Sequence, residues 1–114
     1  MLPEERFNAL VDEFRASPGV IVPGEPGQHG FGSSALRVNG SIFAMLAGGR
    51  LVVKLPHDRV TALIGSGAGA PFDAGKGRAM KEWLTVTADD EESWLALARE
   101  ARDFVGSAHR SSHG

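Results

Sequence analysis

Two tight turns constrain the fold of this chain more than any other feature of its sequence. Asn39-Gly40 and Gly48-Gly49 each separate two runs of mostly apolar residues. A two-residue hairpin turn of this kind needs positive φ at both central positions, and Asn and Gly adopt that backbone most readily. The pattern therefore predicts a three-stranded antiparallel meander, with strands at residues 34–38, 41–47 and 50–55.

The turns also predict the register of the meander, since a two-residue hairpin fixes which residues oppose each other. One face is expected to carry Ala35, Arg37, Ile42, Ala44, Leu46, Leu51, Val53 and Leu55. The other is expected to carry Leu36, Val38, Phe43, Met45, Val52 and Lys54. Both sets are mostly apolar, whereas a sheet with one solvated face alternates apolar and polar residues. We therefore expect the second face to be covered by a helix, by curling of the sheet or by a partner chain.

The flanking segments are predicted to be mainly helical. Pro3 and two glutamates begin a helix with an apolar stripe at Phe7, Leu10, Val11 and Phe14. A short edge strand is expected at 20–22, a helix at 57–64 ending at Gly65, a loop at 65–77 and an extended segment at 78–86. The last helix is expected to be capped by Asp89 with Glu92 in a capping box, and to end at Gly106. The predicted order is α-β-β-β-β-α-β-α, an α+β domain with an antiparallel sheet of four to five strands.

Length and composition limit the class of protein. A chain of 114 residues with 42% hydrophobic and 23% charged residues suits one globular domain. We assign residues 1–106 to that domain and 107–114 to a flexible tail. The absence of cysteine excludes disulfides and thiolate chemistry. The acidic start and the lack of a long apolar run predict a cytoplasmic protein with no membrane association.

Several segments resemble parts of cofactor-binding or catalytic motifs, but their surroundings do not match what those motifs require. Residues 65–70 match the letters of a dinucleotide-binding fingerprint, but they follow a predicted helix rather than a strand. Lys76 lies between two glycines but lacks the remaining P-loop residues. His109 and His113 have helical spacing, but they lie in the predicted tail, so no metal or cofactor is expected. His29, in a glycine-proline loop, and His57, at a helix start, are the remaining candidates for a catalytic role.

The distribution of charge is more informative than its total. The net charge is −2, yet the middle of the chain is basic and both ends are acidic. We take Lys54, Lys76, Arg78 and Lys81 as a candidate anion-binding patch, with Trp83 as an apolar anchor. The alternative is that these cations solvate the sheet edge and pair with the acidic helices. Trp94 is expected in the core, whereas Trp83 either fills the second face of the sheet or anchors a partner.

Several segments together resemble the TfoX N-terminal-domain-like family, which is related to the YjbR-like proteins. The similarity rests on Phe31-Gly32, Val38-Asn39-Gly40, Ile42-Phe43-Ala44, Val53-Lys54-Leu55, the Phe72-Asp73-x-Gly75-x-Gly77-Arg78 loop and Met80-Lys81-Glu82-Trp83. It implies a fold like that of the small secretion-chaperone-like domains, in which N-terminal and C-terminal helices flank a curved antiparallel sheet. It supplies no catalytic residues.

These observations predict a small non-enzymatic binding or regulatory domain that recognises a protein partner or a small anionic ligand. The alternative is a nucleic-acid-binding protein that uses the same basic surface, although a pI of about 6.0 and the lack of aromatics among the cations disfavour it. A small histidine-dependent enzyme is a further alternative. The apolar second face also predicts a homodimer.

Overall fold

The structure is a computed structural model that describes residues 2–22, 35–72 and 81–111. These residues form three helices and a six-stranded sheet. The helices are α1 (Pro3–Phe14), α2 (His57–Ser66) and α3 (Glu91–Ser111). The strands are β1 (Val20–Ile21), β2 (Ala35–Val38), β3 (Ser41–Ala47), β4 (Arg50–Lys54), β5 (Gly69–Pro71) and β6 (Trp83–Val86).

The sheet is antiparallel throughout, with strand order β1-β2-β3-β4-β6-β5. Helices come first and last along the chain, so the α+β prediction is confirmed. The predicted meander is also confirmed, with positive φ at Asn39, Gly40, Gly48 and Gly49. β5 lies where a loop was predicted. Its small residues have no side-chain periodicity, so no local pattern indicates a sixth strand.

The predicted register of β2 on β3 is wrong because β3 contains a bulge. Val38 pairs with Ser41 and Arg37 with Ile42 as the turn requires, but Leu36 then pairs with Ala44. Phe43 is therefore the additional residue on β3. A bulge places two consecutive residues opposite one residue of the partner strand, which interrupts the alternation of side chains. Phe43 and Ala44 are both completely buried.

The bulge gathers the large apolar side chains on one face of the sheet. This face carries Leu36, Val38, Phe43, Ala44, Leu51, Val53, Leu84 and Val86, all of which belong to the core cluster. Apolar residues of all three helices complete that cluster, namely Phe7, Leu10, Val11, Phe14, Val60, Leu63, Trp94, Ala98, Ala101 and Val105. The helices therefore form one layer on one side of the sheet. The predicted apolar stripe of α1 and the core position of Trp94 are confirmed.

The opposite side of the sheet lies outside this core, and we call it the open face. Strand pairing assigns to it Ile21, Ala35, Arg37, Ile42, Met45, Ala47, Arg50, Val52, Lys54, Ala70, Trp83 and Thr85. None of these side chains belongs to the core cluster, although Ala35 and Val52 are buried. Within the described residues, no helix contributes an apolar side chain to this face. The exposed and half-buried side chains of this face, rather than Ala35 and Val52, are therefore the candidates for a binding surface.

The helix ends differ from their predicted positions by a few residues. Helix α2 continues through Gly65 and ends at Gly67, which has φ of 86° and is the left-handed cap. Helix α3 is capped by Asp90 rather than Asp89, because the Asp90 carboxylate accepts a hydrogen bond of 2.8 Å from the Ser93 backbone. It also continues past Gly106 to Ser111. Over the described ranges, no helix combines the length and apolarity needed to cross a bilayer.

Candidate functional site

The charges of the sheet lie on one face and have one sign. No residue within the six strands is acidic, and their three cations are Arg37, Arg50 and Lys54. Strand pairing puts all three on the open face, because each is paired with another open-face residue. A sheet face whose described strand residues include cations and no carboxylates favours an anionic partner.

Lys54 and Trp83 form the centre of the candidate site. They are cross-strand partners on β4 and β6, and the Lys54 ammonium lies 5.7 Å from the centre of the Trp83 ring. Phe72, which follows β5, lies beside the same indole with ring centres 6.4 Å apart. All three side chains are half-buried. A cation held over an indole gains cation–π attraction while its remaining N–H donors can still bind an anion.

The bulge adds two residues to this site that an unbroken register would place on a different face from Lys54. Arg37 and Ile42 pair with each other, and the shift at Phe43 turns both toward the open face. A clue was present in the sequence. If β2 slides by one residue relative to β3 beyond the turn, Leu36 and Phe43 join Leu51 and Val53 on one face, and Arg37 moves to the other.

The structure describes only some of the other predicted site residues. Lys81 is exposed in the turn that leads into β6, two residues before Trp83. Lys76 and Arg78 lie outside the described residues, as does His29. His57 is exposed at the start of α2. The described residues thus join Lys54 with Trp83 and place Lys81 nearby along the chain.

The helix layer carries the opposite charge. Helix α1 has four carboxylates and one arginine, and the described part of α3 begins with Glu91 and Glu92. An ion pair joins α2 to α3: the Arg59 Nε donates to Glu100 at 2.6 Å, and this contact raises the pKa of the Arg59 guanidinium. The molecule therefore presents carboxylates on its helix side and cations on its sheet side.

Two surface cavities lie away from the open face. One, of about 180 Å³, lies between α1 and α3, where the Arg6 guanidinium stands 5.4 Å from the centre of the Trp94 ring. The other, of about 260 Å³, lies beside Arg102 and the Asn39-Gly40 turn. Each is lined by acidic as well as basic residues. Neither therefore has the single-sign character of the open face.

The comparisons with known proteins do not add an identity. No family model, no curated protein and no solved structure matches the chain. The resemblance to the TfoX N-terminal-domain-like family stays a prediction from the residues. Among the described residues, no group of three or more His, Asp or Glu side chains is arranged to hold a metal ion. The open face is therefore the feature of the described residues that bears most directly on function.

Proposed function

We propose that this protein is a non-enzymatic binding domain that recognises an anionic partner through the open face. The observation that carries the proposal is the Lys54–Trp83 pair, in which a cation and an aromatic ring lie together on a sheet face outside the core. Such a pair offers both an electrostatic contact and a large apolar contact area. Tryptophan in particular is enriched among the residues that dominate the binding energy of protein interfaces.

The separation of charge supports an anionic partner in particular. The open face carries Arg37, Arg50 and Lys54, while the first turn of each long helix is acidic. An approaching anion is attracted by the sheet side and repelled by the helix side. This field orients the encounter and accelerates association at low salt.

An acidic protein segment or a small anionic ligand fits the site better than a nucleic acid does. Nucleic-acid binding remains the second candidate, because Trp83 and Phe72 are aromatic side chains beside a cation, as in single-strand binding surfaces. However, Lys54 already lies over the indole, and Phe72 lies beside it. Less aromatic surface is left for base stacking.

Charge reversal at Lys54 tests the proposal. The probes are a polyglutamate peptide, inorganic pyrophosphate and a single-stranded oligonucleotide, with binding followed by tryptophan fluorescence and by amide chemical shifts. We expect Lys54→Glu to weaken binding of an anionic probe by about tenfold, which corresponds to about 1.4 kcal/mol. Arg99→Glu is the matched control, because it makes the same charge change on an exposed side chain of α3.

The result also separates the two candidates. Binding only of the oligonucleotide, with a salt slope of about one log unit per phosphate contact, would favour the nucleic-acid alternative. No binding of any probe, or equal losses in Lys54→Glu and Arg99→Glu, would overturn the assignment of the open face.

A further inference from the structure

Five side chains form a row across the open face in which apolar and cationic residues alternate. Ile21 pairs with Arg37, and Arg37 pairs with Ile42, across β1, β2 and β3. Lys54 pairs with Trp83 across β4 and β6. Ala44 and Val53 pair in the neighbouring row, and beyond the bulged Phe43 the next residues are Ile42 on β3 and Lys54 on β4. The row therefore continues from Ile42 to Lys54. We call this row, from Ile21 to Trp83, the alternating band.

The spacing of the band sets the size of the group that can occupy it. Neighbouring strands lie about 4.8 Å apart, so Arg37 and Lys54 start about 10 Å apart with Ile42 between them. The whole band spans four strand intervals, or about 19 Å. With Ile42 between them and the Lys54 ammonium held over Trp83, the two cations suit two separated negative charges better than a single small anion. An occupant that uses the full band needs two separated negative charges, with an apolar group between them.

A helix matches this spacing better than an extended peptide does. Residues on one side of an α-helix, taken alternately three and four positions apart, advance about 5.3 Å at each step. Over the four intervals of the band, the helix reaches about 21 Å, within about 2 Å of the band itself. Same-side residues of an extended strand advance about 6.7 Å, so four steps reach about 27 Å and overshoot the band by about 8 Å.

A second copy of this chain is a poor occupant. Packing two open faces together would oppose two surfaces whose charged strand residues are all cations. The helix layer offers carboxylates, but the described side chains of its helices include no large apolar residue with more than a third of its surface exposed. In the described part of the chain, Leu2 and Ile21 are the large apolar residues with more than a third of their surface exposed, at 62% and 38%. Both lie outside the helices.

We propose that the alternating band binds an amphipathic helix of a different protein, in which apolar and acidic residues alternate at three- and four-residue spacing along one side. This inference rests on the proposed function, because it names the anionic partner of the open face. The carboxylates of the helix pair with Arg37 and Lys54. Its apolar side chains pack on Ile21, Ile42 and Trp83. Recognition of an amphipathic helix by its spaced anchors is a general mode of peptide binding.

Three synthetic peptides of equal composition test the inference. The first places Glu and Leu alternately at three- and four-residue spacing in an alanine-rich helix of about 18 residues, long enough to cover the band. The second places the same residues at every second position, to suit an extended chain. The third scrambles them. We expect the first peptide to bind at least about tenfold more tightly than the other two in fluorescence anisotropy titrations.

Variants of the protein show where the peptide binds. Arg37→Glu and Lys54→Glu should each weaken binding of the first peptide by at least about fivefold, because a favourable ion pair becomes a repulsive one. Arg99→Glu should leave it unchanged. Replacing the Glu residues of the peptide by Lys should restore binding to the Arg37→Glu/Lys54→Glu double variant. Circular dichroism spectra of all variants confirm that they are folded.

The outcomes distinguish this inference from the proposed function. If the three peptides bind equally well and Lys54→Glu weakens all of them, the helix is wrong and the anionic partner stands. If neither the peptides nor the probes named above bind, both proposals fail. If the protein sediments as a dimer that Lys54→Glu dissociates, the open face belongs to a second copy, and the inference is overturned.

Discussion

Gly69 is the position at which one added methyl group should most disturb the fold. It lies in β5, opposite Val86, on the face that packs into the core. A Cβ atom built on Gly69 falls within 3 Å of three side-chain atoms of Leu84. Leu84 is completely buried in the core cluster. The isobutyl group of Leu84 therefore occupies the space that a side chain at residue 69 would need, and a Gly69→Ala substitution has to displace it.

The two substitutions should compensate each other. Overpacking of a dense core costs about 1–3 kcal/mol, and we expect Gly69→Ala at the upper end because Leu84 has no exposed surface to move into. Leu84→Ala alone should cost about 2–5 kcal/mol, through lost burial and a cavity. In the double variant, the new methyl group enters the space that Leu84 has left. The free energy of unfolding should then lie about 2 kcal/mol above the additive value.

Urea denaturation followed by circular dichroism measures these free energies. Leu36→Ala is the control partner, since Leu36 is equally buried but lies on β2, four strands from β5 in the sheet. Gly69→Ala and Leu36→Ala should be additive within about 0.5 kcal/mol. Additivity of the Gly69 and Leu84 variants as well would show that the two positions do not touch, and the pairing of β5 with β6 would be wrong.

Two further predictions concern the helix ends. Gly65 and Gly67 both have open space where a Cβ would be built, but Gly65 is helical and Gly67 has φ of 86°. Gly65→Ala should therefore raise the free energy of unfolding by about 0.5–1 kcal/mol, and Gly67→Ala should lower it by about 1–2 kcal/mol. Thermal melts measure both changes. A loss of stability in Gly65→Ala would contradict the observed end of α2. Hydrogen bonds from Ser93 lower the pKa of the Asp90 carboxyl below its usual value near 3.8, so the stability gained from ionised Asp90 is present above the unfolded pKa and disappears as the pH falls through the folded one. An asparagine side chain can cap the helix without titrating. As the pH falls, the wild type should therefore lose stability relative to the Asp90→Asn variant. A carboxyl titration by NMR that shows no lowered pKa for Asp90 would refute the cap.

The parts of the fold predicted from sequence are those fixed by local chemistry. Asn39-Gly40 and Gly48-Gly49 define the meander because few other residues adopt their backbone conformation. The stripe from Phe7 to Phe14 defines α1 because one side of a helix must be apolar to be buried. In each case a few adjacent residues contain all the information, and the structure agrees.

The parts that were missed depend on distant contacts. Gly69-Ala70-Pro71 forms a strand only because β6 supplies its hydrogen-bonding partners, and β6 lies at residues 83–86. Gly65 resembles a helix end, but the left-handed residue that ends α2 is Gly67. Of the candidate site, the sequence predicted Lys54 and Trp83 but not that the two side chains meet. Their contact requires β4 and β6 to be neighbours, which no local pattern specifies.

The bulge at Phe43 links the core to the candidate site. With an unbroken register, Phe43 would face the open side, and Arg37 would point among the helices. Burying an unpaired guanidinium costs several kcal/mol, and exposing a phenyl group forfeits about 1.5–3 kcal/mol of burial. One additional residue in β3 removes both penalties, because it turns Phe43 toward Phe14 with ring centres 5.4 Å apart and leaves Arg37 on the open face. The same shift brings Ile42 into the row with Lys54. The alternating band therefore follows from the packing of the core, and a variant that straightens β3 should disrupt binding and stability together.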